Sequence, residues 1–292
     1  MLKILTYTAV GDAYGAGFEY ASPQHVRKFN TLKGYVRNEK HALEPGVYTD
    51  DTQMAIANTE VIVTGLNITR RMLAESYVYC FKRDPREGYA RGFHGLLSEI
   101  PDGSRLIRRL GKAESDKSGA AMRAVVFGIY PTVEEVLELT ALQAAITHNT
   151  EDGINAARAA ALAGHYFIYK LGARQDLGQF LEEHVQGPNC KWNTPWQGPV
   201  GPKGWQSVQA AVSAIIKSNS LSEILSNSIG YTGDVDTVAA VALGAASVCN
   251  EIEDDLPDWL FRDLENGEFG RDYLATLDRK LDAAMIALND SR

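Results

Sequence analysis

Apolar residues in this chain recur at three- and four-residue spacing and almost never alternate, which restricts the fold to packed helices. Val133, Val136, Leu137, Thr140, Ala141 and Ala144 follow the i, i+3, i+4, i+7 pattern of a helix with one buried face. Thr132 with Glu135 reads as a capping box opening that helix. Leu274, Leu277, Leu281, Ala284 and Leu288 repeat the pattern near the C-terminus. Residues 237–249 are apolar on nearly every face, as a buried central helix should be. Residues 154–171 and 205–217 are alanine-rich and also helical in pattern. The expected fold class is therefore all-α, a compact helical bundle.

Two stretches lack the period and read as loops. One runs from Ser22 to Tyr48. The other, Gln186 to Gly204, is rich in Gly, Pro and Asn and carries Trp192 and Trp196, with Trp205 at its edge. Nothing resembles a linker, a low-complexity tract or a fixed repeat. A single domain over residues 1–292 is the simplest organisation, and that length is enough for a sizeable core.

Charge and cysteine usage narrow the function classes. A formal charge of −8 argues against a nucleic-acid partner, because such domains carry a basic face. A small anionic ligand stays admissible if metal ions or backbone N–H groups offset that charge. Cys80, Cys190 and Cys249 lie far apart and form no CxxC pair, which fits a reducing compartment. No run of about 18 apolar residues predicts a transmembrane helix. The first ten residues carry one lysine and are followed at once by Asp12, with no A-x-A site, so a signal peptide is not expected. The expectation is a cytoplasmic, monomeric protein with no membrane partner.

Three short segments concentrate chemistry: Gly11-Asp12-Ala13-Tyr14-Gly15-Ala16-Gly17-Phe18-Glu19, Tyr48-Thr49-Asp50-Asp51-Thr52-Gln53-Met54, and Thr232-Gly233-Asp234-Val235-Asp236-Thr237. The second and third share a design, two carboxylates and a threonine hydroxyl directly before an apolar helix. Hard divalent cations such as Mg²⁺ take oxygen ligands of this kind. Two such clusters from distant parts of the chain can supply a two-metal site. The competing reading is helix capping, and Asp50 with Gln53 fits a D-x-x-Q capping box. Capping needs one side chain per helix, however, and four close carboxylates repel one another unless a cation lies between them.

Other chemistries find no support. An EF-hand starting at Asp234 would need a glutamate at its twelfth position, where Ala245 stands. His25, His41, His94, His148, His165 and His184 form no HExxH or close pair, which disfavours zinc. The GxxxGxG spacing around Asp12 is not a dinucleotide fingerprint, and there is no P-loop and no GxSxG elbow.

At the three segments, and in their order along essentially the whole chain, the sequence resembles the ADP-ribosylglycohydrolase family. That family includes protein-arginine and protein-serine ADP-ribosylhydrolases and dinitrogenase-reductase-activating glycohydrolases. The resemblance implies an orthogonal helical bundle with a cleft holding two Mg²⁺ or Mn²⁺ ions. It implies that Thr49, Asp50 and Asp51 form one set of metal ligands and that Asp234, Asp236 and Thr237 form the other. Glu19 takes the place of a glutamate that activates or orients water, with Asp51 and Asp236 as further catalytic carboxylates. Asp12 falls where a buried carboxylate braces the first loop at the substrate site; a local cap is its alternative.

Two further segments extend the likeness. Ser118-Gly119-Ala120-Ala121-Met122-Arg123 resembles a glycine-rich stretch that opens a helix near the phosphates and distal ribose, and a helix N-terminus offers free N–H groups to anions. His148 matches a cleft histidine, against the alternative of a structural one. Ser118, Gly119, His148 and Asp12 are thus the expected substrate contacts. The sequence departs from the family at Ser115-Asp116-Lys117, where relatives carry more glycines and an adenine-stacking aromatic. Tyr89, Phe93, Phe127 and Tyr130 are substitutes for that platform, or else core and cleft wall. Arg105, Arg108, Arg109 and Lys112 read as a solvated helix face.

The implied activity is hydrolysis of a glycosidic bond to ADP-ribose, with an arginine N-linkage favoured and ADP-ribosyl-serine or O-acetyl-ADP-ribose as alternatives. The partner is ADP-ribose or an ADP-ribosylated protein. Two rivals belong to other classes. A non-catalytic ADP-ribose-binding protein would lack part of the ligand set. A helical nucleotide pyrophosphohydrolase would place acids at E-x-x-E spacing within helices.

Overall fold

The computed structural model describes residues 1–40 and 42–290, so His41 lies outside the described residues. Fourteen α-helices are found among them. In chain order they are α1 (Ile4–Ala16), α2 (Pro23–Phe29), α3 (Asp50–Ile62), α4 (Arg70–Arg83), α5 (Arg91–Glu99), α6 (Gly103–Leu110) and α7 (Val133–Ala144). There follow α8 (Glu151–Ile168), α9 (Leu177–His184), α10 (Gly204–Lys217), α11 (Leu221–Gly230), α12 (Val235–Ala246), α13 (Asp258–Arg262) and α14 (Arg271–Asp290). The fold is all-α, as the periodicity requires. Among the described residues β pairing is limited to isolated bridges, three of which, Glu114–His148, Lys117–Lys203 and Val200–Gly233, tie together loops around one cleft.

The centre of the bundle is the pair α1 and α12. Every residue of α12 is buried, and so is nearly all of α1, because the alanines, valines and glycines of both leave no polar face. The two backbones approach so closely that a Cβ at Gly11 would overlap the carbonyl of Ala239 and one at Gly15 would overlap the backbone of Asp236. Both glycines sit four residues apart on one face of α1, so the approach is built into the sequence. α3, α8, α10, α11 and α14 pack around this pair. In α14, Leu274, Leu277 and Leu281 are buried, and Ala284 and Leu288 lie half-buried at the core margin.

Helix ends follow their caps. Thr132 and Glu135 form the expected capping box of α7. Residues 22–48 are not loop throughout. Ser22 accepts from His25 N–H, Pro23 stands at the first helical position, and the seven-residue α2 results. The segment 186–204 is irregular but anchored: Trp192 is buried and donates through Nε1 to the Val185 carbonyl at 3.1 Å. No helix among the described residues is long and apolar enough to cross a membrane.

Candidate functional site

The glycine approach described above decides where the carboxylates go. Gly15 presses on the first turn of α12, so Asp236 is held against α1, while α3 packs against α1 and α12 and carries Asp50 and Asp51 in its own first turn. The two acidic clusters therefore meet: the Thr237 hydroxyl donates to Asp51 Oδ1 at 3.4 Å across 186 residues of sequence. Carboxylate oxygens of Glu19, Asp234 and Asp236 lie within 4.8 Å of one another. Among the described residues this is the group of three ligand-type side chains that comes so close, and all of its donors are oxygen.

Each member is positioned by an identifiable device. Thr49 caps α3 by accepting from the Asp51 N–H at 3.3 Å. Asp50 is thus the first helical residue and does not cap, and its N–H donates to the Glu87 carbonyl at 3.0 Å. The D-x-x-Q capping box is overturned: the Gln53 amide is taken by the Cys80 and Asp84 carbonyls, and its oxygen accepts from Tyr89 at 2.7 Å. Asp234 precedes α12. Its Oδ2 accepts from Ser207 of α10 at 3.0 Å, and Ser118 also bonds its carboxylate. Gly233, at φ +92°, supplies the turn, and the Tyr20 N–H donates to its carbonyl at 2.8 Å. Thr232 and Tyr20 both adopt positive φ, 64° and 47°, beside the two acid-bearing segments. Left-handed backbone at a β-branched residue costs of order 1–3 kcal/mol and collects at functional sites.

Asp12 lies beneath the site, in the middle of α1. Its carboxylate accepts four hydrogen bonds, from the Thr49 N–H at 2.9 Å and hydroxyl at 2.8 Å and from the Thr52 N–H at 3.0 Å and hydroxyl at 2.6 Å. It is fully buried and braces, as expected, but what it braces is the start of α3, 37–40 residues away, so the local cap gives way, and it does not itself line the cleft as a substrate contact would. Thr49 also stays off the cleft lining; its hydroxyl donates to Asp12 and accepts from Asp51 N–H, leaving one oxygen lone pair.

The electrostatics of the acids are unfavourable without a counter-charge. Burial pushes Asp50, Asp51 and Asp236 well above the usual carboxylate range, and the neighbouring acids push them further. Glu19 is pushed up to about 7, first by burial and then by the charges of Asp234 and Asp12. Asp51 Oδ2 and Asp236 Oδ1 are buried with no hydrogen-bond donor among the described residues. Buried charges are normally paired or bound to metal. Orphaned oxygens in an all-oxygen cluster fit a divalent cation such as Mg²⁺ or Mn²⁺.

The acids floor a cleft of about 550 Å³. That volume suits a small-molecule ligand. Its apolar lining is formed by Met54, Tyr89, Phe93, Leu96, Leu110 and Met122. Of the four aromatic candidates, Tyr89 and Phe93 line the cleft, whereas Phe127 and Tyr130 stack on each other at 6.4 Å outside its lining. Ser118, Gly119 and His148 also line the cleft. The stretch at Ser118 does not open an α-helix. It forms one 3-10 turn, Ser118–Ala120, and the Ser118 N–H donates to the Pro202 carbonyl at 3.2 Å. The expected anion-binding helix terminus is therefore absent there. His148 is buried with its Nδ1 2.7 Å from the Thr147 hydroxyl, and burial together with the nearby Arg123 charge lowers it to about 3, so the ring is neutral at neutral pH.

Sequence reasoning missed Ser207 and the strained pair Tyr20 and Thr232. An isolated serine in an alanine-rich helix gives no signal. It also missed that the Arg123 guanidinium is fully buried, bonded to Gln143 and Thr147 and stacked on Tyr77, with no carboxylate partner among the described residues.

A profile of the ADP-ribosylglycohydrolase family matches residues 3–289. The chain is 28% identical over 184 residues to ADP-ribosylhydrolase ARH3 of Xenopus tropicalis, covering 59% of this chain and 52% of that protein. It is 28% identical over 192 residues to ARH3 of Homo sapiens, covering 61% and 52%. The chain thus spans about half the length of these curated relatives. To the ADP-ribosyl-dinitrogen reductase glycohydrolase of Rhodospirillum rubrum it is 24% identical over 273 residues, 86% of each. A solved structure of an ADP-ribosylglycohydrolase-related protein complex has the same fold, with a TM-score of 0.74, 21% identity and 97% coverage of both chains.

Proposed function

The chain belongs to the ADP-ribosylglycohydrolase family, and on that premise we propose that it hydrolyses the glycosidic bond between ADP-ribose and an acceptor, with the cleft between α3 and α12 as its active site. The observation that carries this reading is the meeting of Thr237 with Asp51, beside buried carboxylate oxygens that have no protein donor. Asp50, Asp51, Asp234, Asp236 and Thr237 would hold two Mg²⁺ or Mn²⁺ ions, with Thr49 contributing through its remaining lone pair. Bound, the ions neutralise the acid cluster and orient oxygen ligands of the sugar.

The rest follows from the chain's own side chains. Glu19 lines the cleft next to Asp234 and Asp236, where its carboxylate is placed to orient a water and accept its proton. Glycosidic cleavage also needs proton assistance to the leaving group; an aspartate of the cluster whose free carboxylate oxygen carries a proton would donate it, and the proton that Glu19 takes from water restores the balance. Neutral His148 and the Ser118–Gly119 turn fix the middle of the ligand, and Tyr89 with Phe93 offers aromatic faces to the base. Six carboxylates line the cleft, Glu19, Asp50, Asp51, Glu114, Asp234 and Asp236, against the cations Lys117 and Arg123, so its own side chains make it acidic. A lining carboxylate that the ions leave unengaged, such as Glu114, favours a cationic leaving group, so an arginine linkage is preferred over ADP-ribosyl-serine or O-acetyl-ADP-ribose.

The test is a panel of ADP-ribosyl-arginine, ADP-ribosyl-serine and O-acetyl-ADP-ribose with the purified protein, with and without chelator. Turnover of the arginine conjugate that stops on chelation is expected. Binding of ADP-ribose without turnover of any conjugate would identify a non-catalytic binder instead.

A further inference from the structure

The cleft has a basic shoulder that its own chemistry does not use. α6 carries Arg105, Arg108 and Arg109 on one face, continued by Lys112 just past the helix, and all four are exposed. Arg109 has one weak ion pair, 3.4 Å to Glu99, with both side chains more than half exposed. Arg105, Arg108 and Lys112 have no acidic partner within 4.0 Å among the described residues. Like charges three and four residues apart destabilise a helix. The helix dipole offsets this for Arg108 and Arg109, in the last turn, but Arg105 stands near the N-terminal end, where a cation is disfavoured. Such a face in a chain of net charge −8 is a local reversal of sign.

Three further features make this shoulder a surface for recognition. It is rigid: Gly103 packs so closely on α4 that a Cβ would overlap the Glu75 backbone, and Glu75 accepts from the Gly103 N–H at 2.8 Å. It is hollow: Glu99, Ile100, Pro101, Arg105, Arg108 and Arg109 surround a depression of about 400 Å³, in which the single carboxylate, Glu99, is paired with Arg109 and leaves Arg105 and Arg108 in excess. It adjoins the catalytic cleft: Leu110 and Ala113, on the same short segment, line that cleft, as do Phe93 and Leu96 of the preceding helix.

We propose that this face of α6 docks an acidic segment of the ADP-ribosylated protein, with one apolar side chain in the depression and carboxylates on Arg105, Arg108 and Lys112. The proposal rests on reading the adjoining cleft as the site for the ADP-ribosyl group. Charge complementarity selects an acidic partner. The Ile100–Pro101 part of the depression favours a polypeptide over a nucleic acid, whose phosphates use cations alone.

The probe is a fluorescein-labelled peptide with glutamates around a single leucine, followed by anisotropy. Its companions are the same peptide with glutamine for glutamate and a labelled single-stranded oligonucleotide of equal charge. The glutamate peptide should bind more tightly than either companion and weaken as salt is raised. The double variant Arg105→Glu/Arg108→Glu should weaken it by about tenfold or more, as expected for reversing charges at a complementary interface. Arg105→Gln/Arg108→Gln should give a smaller loss in the same direction, which separates lost recognition from a damaged helix. Equal binding of the glutamate and glutamine peptides, tighter binding of the oligonucleotide, or undiminished binding by both variants would overturn the proposal. The probe carries no ADP-ribose, so its failure leaves the hydrolase reading standing, and failure of the conjugate panel leaves this result intact.

Discussion

Asp12 and Asp236 stand on the two helices that pack together at the centre of the bundle, α1 and α12, both buried, yet their surroundings are opposite. Asp12 receives four hydrogen bonds from two threonines, and its environment is complete. Asp236, like Asp51, keeps a buried oxygen that no protein group serves. A fully bonded buried carboxylate holds structure together, whereas one left short of donors loses stability unless something else arrives. The difference separates the carboxylate that braces the scaffold from those the proposal assigns to the metal, without reference to any relative.

Substitution should expose that division. The largest effect is expected at Asp51→Asn and Asp236→Asn, which should lower turnover of an ADP-ribosyl conjugate by about a thousandfold or more, the scale of removing a group that acts on the reacting centre. Their melting temperatures without metal should be unchanged or higher, since each removes a charge from a self-repelling cluster. A variant that loses activity only because it unfolds would erase the contrast with Asp12. Asp12→Asn should do the reverse to stability: an amide nitrogen then faces threonine donors, costing about 3 kcal/mol in urea unfolding.

The same reasoning with the sign changed applies to His148. It is buried beside Arg123 and lowered to about 3 from an ordinary value of 6.5. The unfolded chain therefore binds a proton that the folded chain refuses between those values. Stability is lost as pH falls through that window and is unaffected above it. Against His148→Gln, the native protein should lose about 2 kcal/mol more on going from pH 7 to pH 5, read from denaturant midpoints. Parallel losses in the two proteins would show that the ring is not buried neutral.

Much of this was legible in the sequence because it is local. The period fixed α7, α12 and α14, and Thr132 with Glu135 fixed one boundary. The paired acids and threonines stand out for the same reason, since each acid pair lies within three residues, Asp50–Asp51 and Asp234–Asp236. What could not be read depends on contacts far apart in the chain. Thr49 and Asp50 both resemble caps, and only the placement of Gln53 against Cys80, Asp84 and Tyr89 shows which one serves. Ser118 looked like a helix start until the strap at Pro202 took its N–H. The α2 helix was hidden because His25 and Val26 alone of its seven residues are buried, too few to show a period.

The central claim is that the carboxylates of residues 50–51 and 234–236 form one divalent-cation site. Calorimetric titration of the metal-free protein with Mn²⁺ tests it most directly. Two ions per chain are expected, with binding weakened or reduced to one ion in Asp51→Asn and in Asp236→Asn but retained in His148→Gln. A native protein that takes up no Mn²⁺, or acid-to-amide variants that bind as well as it does, would contradict the claim.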